Sequence, residues 1–217
     1  MRLYIIRHGE TNLNITGNLQ GHIDPELNQN GIDLARITGE KIADIEFDYA
    51  VSSPSRRAYV TAETVLAVNK KKYTRLLTDV RLMEMAFGKW EGKCAAVKGF
   101  ELGIDNWPDF FNKPFEFVGC EGFEGCAKLV ERANSFLDDI IAKEGNTEKN
   151  ILIATHGCTV RALCNRFYDD PHDFWQGMCP YNCAVNIIEV KDGKATLIGR
   201  DVIYYDESLC KDFYKTE

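Results

Sequence analysis

His8 lies in the segment Arg7-His8-Gly9-Glu10-Thr11, directly after the apolar run Leu3-Tyr4-Ile5-Ile6. A short run of this kind reads as a buried strand. It would deliver a fixed cation and an imidazole to a loop at the strand's carboxyl end, the edge where open α/β sheets bind ligands. A guanidinium presents a planar fork suited to phosphate oxygens. An imidazole can attack phosphorus and carry the phosphoryl group covalently. The pattern recurs far downstream, where Asn150-Ile151-Leu152-Ile153-Ala154-Thr155 runs into His156-Gly157. Two strands ending this way at one sheet edge would bring both imidazoles together. Taken singly, each His-Gly step is equally an ordinary strand end.

Removing a phosphoryl group through histidine needs a neutral imidazole, cations around the phosphate oxygens and a proton for the leaving oxygen. Arg7 adjoins the first imidazole. Arg56-Arg57 follows Ser53-Pro54, a capping hydroxyl and a proline that together predict a helix start. Helix N-termini attract anions, so this pair is placed for phosphate. Neighbouring helical residues point about a quarter-turn apart, so one of the two should enter a pocket, and Arg57 is favoured. The acid candidate is Glu84 in Met83-Glu84-Met85, where apolar neighbours would desolvate the carboxyl group and favour its proton-donating form. Spacing alone leaves open an ordinary ion pair between Glu84 and an arginine.

The elements that must position these groups alternate along the chain. After the first strand, residues 17–25 read as irregular, and a helix is expected over 30–45 with Ile32, Ala35, Ile37, Ile42 and Ile45 on its apolar faces. A short buried strand is expected at 48–52, then the Ser53-Pro54 helix to about Val68, with the Lys70-Lys71-Lys72 run at its carboxyl end. Residues 76–82 read as a strand or extended link, and 94–112 give no clear pattern. An amphipathic helix spans about 123–143 through Leu129, Ala133, Phe136, Leu137 and Ile140. Val160, Leu163 and Phe167 give residues 159–167 helical spacing. Segments 182–191 and 195–202 flank Asp192-Gly193, a hairpin signal. This alternation predicts a mainly parallel sheet covered on both faces.

Composition narrows the class. A chain of 217 residues with 45% apolar content can build one full α/β core. Net charge is −7 and the isoelectric point is near 5.2. That argues against a nucleic-acid partner, which needs clustered cationic excess, and makes any phosphate site a local basic pocket in an acidic protein. No apolar stretch approaches a membrane span, and the first residues lack a signal-peptide pattern. A cytoplasmic location follows as the default. The eight cysteines are expected as free thiols. Neither the Cys179/Cys183 nor the Cys158/Cys164 spacing matches a structural zinc site.

With these residues in place, the chain resembles the histidine phosphatase superfamily, in its phosphoglycerate-mutase-like branch. The resemblance runs from Arg7-His8-Gly9-Glu10-Thr11 with Asn14, through Gln20-Gly21 and Gly31, to Ser52-Ser53-Pro54 with Arg57-Ala58 and Thr61-Ala62. It continues through Glu84 and Phe87-Gly88-Lys89-Trp90-Glu91-Gly92 to Thr155-His156-Gly157 with Arg161. It implies a three-layer α/β/α sandwich with a mostly parallel central sheet, formed by a single domain over 1–217 with a small cap-like insertion around 93–120. It implies that His8 is the nucleophile and Glu84 the proton donor that later activates water. It further implies that Arg7, Asn14, Gln20, Gly21, Arg57, His156 and Gly157 surround the phosphate. No metal or other cofactor is implied. Ser55, Met83 and Cys158 depart from the family's usual leucine, arginine and second glycine.

The leading expectation is a metal-independent phosphatase acting on a small phosphorylated metabolite. Cofactor-dependent phosphoglycerate mutases of the family carry extra cations after the acid, whereas residues 99–118 here hold no arginine and only Lys113. Phe100, Trp107, Phe110, Phe111, Phe115 and Phe117 populate that stretch, either as a cap that favours a less charged substrate or as core. A mutase and a non-catalytic phosphometabolite-binding protein are the alternatives. The oligomeric state stays open, a homodimer included.

Overall fold

Among the described residues, six strands form one sheet in the order β3-β2-β4-β1-β5-β6, with β1 at Arg2–Arg7, β2 at Tyr49–Ser52, β3 at Arg75–Thr78, β4 at Asn150–Thr155, β5 at Val185–Lys191 and β6 at Lys194–Val202. The computed structural model describes residues 1–70, 74–96 and 100–211. Lys71 and Lys72 of the expected charge run and Gly99 of the aromatic stretch lie outside them. Strands β3, β2, β4 and β1 are mutually parallel, and β5 and β6 extend the sheet as an antiparallel hairpin. The sheet is therefore mostly parallel, as the alternation predicts.

Period-two alternation along the two histidine-bearing strands explains their apolar sequences. Leu3, Ile5, Ile151 and Ile153 enter one core cluster, and Tyr4, Ile6, Leu152 and Ala154 enter the other. Strands covered on both faces need apolar residues at every position, and each fully buried aliphatic side chain contributes about 1.5–3 kcal/mol. The helices are α1 (Asn12–Ile15), α2 (Gln29–Lys41), α3 (Arg56–Ala67), α4 (Asp109–Asn112), α5 (Cys126–Glu144) and α6 (Gly157–Cys164). Leu34 and Ala35 of α2 pack with Ala62 and Val65 of α3 in one cluster. Leu129 and Ala133 of α5 pack with Val160 and Leu163 of α6 in the other.

Two expected boundaries shift for tertiary reasons. Helix α3 begins at Arg56, and Ser55 at its cap position makes no side-chain cap bond. The Asp24 carboxylate caps it instead, accepting from the Arg56 N–H at 2.8 and 3.0 Å. The expected strand at 76–82 ends at Thr78 and turns into a 3-10 segment over Val80–Leu82, capped by Asp79, which accepts from the Arg81 N–H at 2.8 Å.

The aromatic stretch is both core and wall. Trp107, Phe110 and Phe117 belong to the core cluster, whereas Phe100 is exposed. All eight cysteines are free. Among the described residues no helix is long and apolar enough to cross a membrane.

Candidate active site

Parallel pairing sets both histidines side by side. Arg7 of β1 is in register with Thr155 of β4, and Ser52 of β2 with Ala154. Three strands therefore end together, presenting His8, Ser53 and His156 at one edge. The His8 N–H donates to the Thr155 carbonyl at 2.8 Å and the Ser53 N–H to that of Ala154 at 2.9 Å. The two imidazole centroids are 5.3 Å apart, with planes inclined at 62°.

Both rings are buried, and their surroundings favour the neutral form. Burial is the main cause of a His8 pKa well below the ordinary histidine value, and the Arg57 and Arg7 charges add to it. The same burial, followed by Arg57, His8 and Arg7, lowers His156. His8 Nδ1 lies 2.7 Å from the Gly9 carbonyl. A carbonyl only accepts, so Nδ1 carries the proton and the Nε2 lone pair is free to attack. His156 Nε2 is 2.8 Å from the Ser53 hydroxyl, and its Nδ1 is buried with no hydrogen-bond partner.

The guanidinium groups are held by carbonyls. Arg57 is fully buried, with a side-chain exposure of 0%. It donates through Nη1 to Ile23 (2.8 Å) and through Nη2 to Gln20 (2.7 Å) and Gly21 (2.9 Å), all at carbonyl oxygens. Its Nε is buried and unpartnered. Arg56 points outward, 63% exposed, and pairs with Glu26. One arginine of the pair thus turns inward, and it is Arg57. The reason differs from the expected one, since Asp24 occupies the first N–H of α3. Arg7 donates to the Pro180 carbonyl.

Glu84 is buried, yet its setting is polar. Its Oε1 accepts from the N–H groups of Met85 (2.9 Å) and Thr159 (3.1 Å) and from the Thr159 hydroxyl (3.1 Å). Its Oε2 accepts from the Cys158 N–H (3.1 Å). Glu84 thus sits at the N-terminus of α6, whose first N–H groups hold its carboxyl group in place. The apolar environment expected from Met83 and Met85 is corrected by these donors, of which the Met85 N–H is local and those of Cys158 and Thr159 come from a distant segment.

A recess of about 480 Å³, counting the space at its mouth, is lined by Arg7, His8, Asn14, Gln20, Glu84 and Gly157, with Cys158 and Cys179 beside them. Arg57 and His156 are buried behind this lining. Asn14 and Gln20 are orientated by Thr11: the Thr11 N–H donates to Asn14 Oδ1 (3.0 Å), and its hydroxyl donates to Gln20 Oε1 (2.7 Å). Gly21 is outside the lining. Its carbonyl accepts from Arg57, and its N–H donates to Glu91 at 2.9 Å. A Cβ at Gly21 would come within 2.2 Å of Glu91 and 2.3 Å of the Met85 carbonyl, so only glycine fits there.

Several further residues support these groups; Glu91 and Arg161 lie in the matched motifs, whereas Asn182 and Arg132 carried no sequence signal. Glu91 accepts N–H bonds from Gly21, His22, Ile23 and Phe87 and clamps the loop that holds Arg57. Asn182 donates to the His8 carbonyl at 2.9 Å. Arg132 donates to the carbonyls of Arg81 (2.7 Å) and Met83 (2.8 Å), fixing the approach to Glu84. Arg161, part of the matched motif, is fully buried and paired with Asp201 at 2.8 Å.

Comparison with known proteins gives one consistent result. The family model described as histidine phosphatase superfamily (branch 1) matches residues 3–201. A relative from Hydrogenobacter thermophilus with the provisional name phosphoserine phosphatase 2 is 33% identical over 198 residues, covering 91% of this chain and 93% of its own. The 2,3-bisphosphoglycerate-dependent phosphoglycerate mutase 2 of Lactiplantibacillus plantarum is 27% identical, over 75% of this chain and 81% of its own. Among solved structures, Bacillus stearothermophilus YhfR superposes with a TM-score of 0.82 at 28% identity, covering 94% of this chain and 98% of that one.

Proposed function

We propose that this chain, which belongs to the histidine phosphatase superfamily, is a phosphoric monoester hydrolase that cleaves a small phosphorylated metabolite through a phosphohistidine on His8. The His8 Nε2 lone pair attacks phosphorus, and the ester P–O bond breaks as the P–N bond forms. Glu84 gives its proton to the departing alkoxide and then takes one from water. That water attacks phosphorus, the P–N bond breaks, and inorganic phosphate leaves. Arg7 and Arg57 balance the charge on the equatorial oxygens and His156 donates its Nδ1–H to them, with Asn14, Gln20 and the Gly157 backbone around them.

One observation carries this reading. Two neutral imidazoles stand 5.3 Å apart at a sheet edge, and beside them His156 Nδ1 and Arg57 Nε are buried without partners. Buried polar groups are ordinarily hydrogen-bonded. With the Ser53 hydroxyl donating to His156 Nε2, both unpartnered atoms are donors, and a tetrahedral anion supplies the acceptors both require. All the charge this chemistry needs comes from side chains, so the proposed steps call for no metal.

The experiment is phosphoryl trapping. His8→Ala is expected to abolish turnover and the acid-labile phosphate label, and a retained label on that variant would sink the assignment. Incubation with 3-phosphoglycerate, with and without its bisphosphorylated primer, separates hydrolysis from transfer. Release of phosphate supports the phosphatase, and isomer formation would favour the mutase. Absence of both activities on a phosphomonoester panel would favour a non-catalytic binding protein.

A further inference from the structure

The geometry points to a substrate whose alcohol ends in a flat, uncharged group, an inference that rests on the phosphatase reading. Besides its polar groups, the recess is lined by Leu19, Phe87, Trp107, Phe110, Phe111 and Trp175. This wall is fixed. Trp107 stacks on Phe110 with centroids 4.7 Å apart and planes at 21°, and its other edge meets Trp90 at 5.9 Å. Trp175 donates its indole N–H to the Phe110 carbonyl at 2.8 Å. Such a surface binds an aromatic ring by stacking and area burial with little ordering cost.

The charges of the recess are already committed. Among its described lining residues the ionised or proton-transferring groups are Arg7, His8 and Glu84. The first two serve the phosphate, and Glu84 serves the leaving oxygen. Asn14 and Gln20 each spend their side-chain oxygen on Thr11. A substrate with its own carboxylate and ammonium, such as O-phosphoserine, would bury the ammonium against aromatic faces without an acceptor, and its carboxylate would compete with the phosphate for the Asn14 and Gln20 amide N–H groups. Unpaired buried charge is strongly unfavourable. An arylalkyl alcohol loses nothing there and gains the area of one ring.

The experiment compares 2-phenylethyl phosphate, ethyl phosphate and O-phosphoserine, three alkyl esters, on the full chain. The expected kcat/KM for 2-phenylethyl phosphate exceeds that for ethyl phosphate by about 10- to 100-fold, mostly through KM, the worth of one buried ring. Phe111 is only half-buried, so it can be changed with least risk to the fold. Phe111→Ala should cost 2-phenylethyl phosphate about tenfold and change ethyl phosphate by less than about threefold. Phe111→Arg should move the two specificities in opposite directions, raising O-phosphoserine and lowering 2-phenylethyl phosphate, which misfolding cannot do. A wild-type preference for O-phosphoserine, or equal losses on both alkyl esters in Phe111→Ala, would overturn the inference. Should no ester be turned over, the phosphatase reading fails. The preference is then read by calorimetry, where tighter binding of 2-phenylethyl phosphate supports it and tighter binding of O-phosphoserine overturns it.

Discussion

The neutral histidine pair makes stability depend on pH in a window that few other groups share. His8 and His156 have pKa values well below the ordinary 6.5, chiefly through burial, with Arg57 and Arg7 adding to it. In the unfolded chain both regain ordinary values, so below pH 6.5 the unfolded state binds protons that the folded state refuses. Stability is therefore fully present above pH 6.5 and is lost as pH falls toward the folded values. For an unfolded pKa of about 6.5 and a folded state that stays neutral, lowering pH from 7.0 to 5.5 costs about 1.3 kcal/mol per histidine, or about 2.5 kcal/mol for both. Carboxylates lowered by partners, such as Glu144 under the Lys149 ammonium, lose their contribution only below about pH 4.5. Urea denaturation at pH 7.0, 6.25 and 5.5 in phosphate-free buffer measures the slope. The expected outcome is a fall of about 2.5 kcal/mol in the parent chain, about half that in His8→Asn, and a nearly flat profile in the double variant with His156→Asn. If the double variant keeps the parent's slope, the buried imidazoles are not the neutral pair described, and the free Nε2 nucleophile loses its support.

Two further outcomes test the surroundings of the pair. A Cβ at Gly157 would come within 2.7 Å of Cys179 Sγ and 3.6 Å of Arg7 Nε. Gly157→Ala is therefore expected to lower kcat/KM by about tenfold or more, and adding Cys179→Ala, which removes the clashing sulfur, should restore it to within about threefold. Absence of rescue would mean that the close packing is not what matters. Glu84→Gln keeps one acceptor oxygen for the α6 N–H groups but has no proton to give. Its kcat should fall by about 10²–10⁴ on alkyl esters and far less on a nitrophenyl ester, whose leaving oxygen needs no proton. Equal losses on both would assign Glu84 a positioning role.

The His-Gly echo was legible because parallel pairing carries like segments to the same edge: Arg7 sits opposite Thr155, so each strand's next residue is an imidazole. Ser53-Pro54 misled because its local signal is ambiguous. A serine before proline reads as a cap, but here the hydroxyl serves the His156 ring and a carboxylate from another loop caps the helix. The boundary of α3 was set by contacts across the fold, which spacing does not encode. The recess wall shows the same limit. Trp107 and Phe111 stood out as a run of aromatics, but Phe87 and Trp175 reach the same wall from segments far apart in sequence. Likewise nothing around Asn182 or Arg132 marks them as supports of His8 and Glu84, because each acts through a backbone group of a remote segment.

How an acidic chain keeps an uncompensated cation in its interior follows from what its arginines touch. Arg57 gives its terminal N–H groups to three carbonyl oxygens, and its nearest carboxylate, Asp24, is 3.6 Å away and 44% exposed. A carbonyl dipole fixes a guanidinium without cancelling its charge, so the field of Arg57 still reaches both imidazoles. Its pKa is lowered by burial, the mark of a cation that is incompletely compensated and gains from an anion. Arg161 is equally buried, but Asp201 at 2.8 Å neutralises it. Burial opposes its charge, and the Asp201 carboxylate outweighs that and raises its pKa. It secures the Met178 carbonyl at 2.7 Å rather than a ligand. The two buried arginines thus differ in their partners, with carbonyl oxygens around Arg57 and a close carboxylate on Arg161, and Arg57 is the one left incompletely compensated.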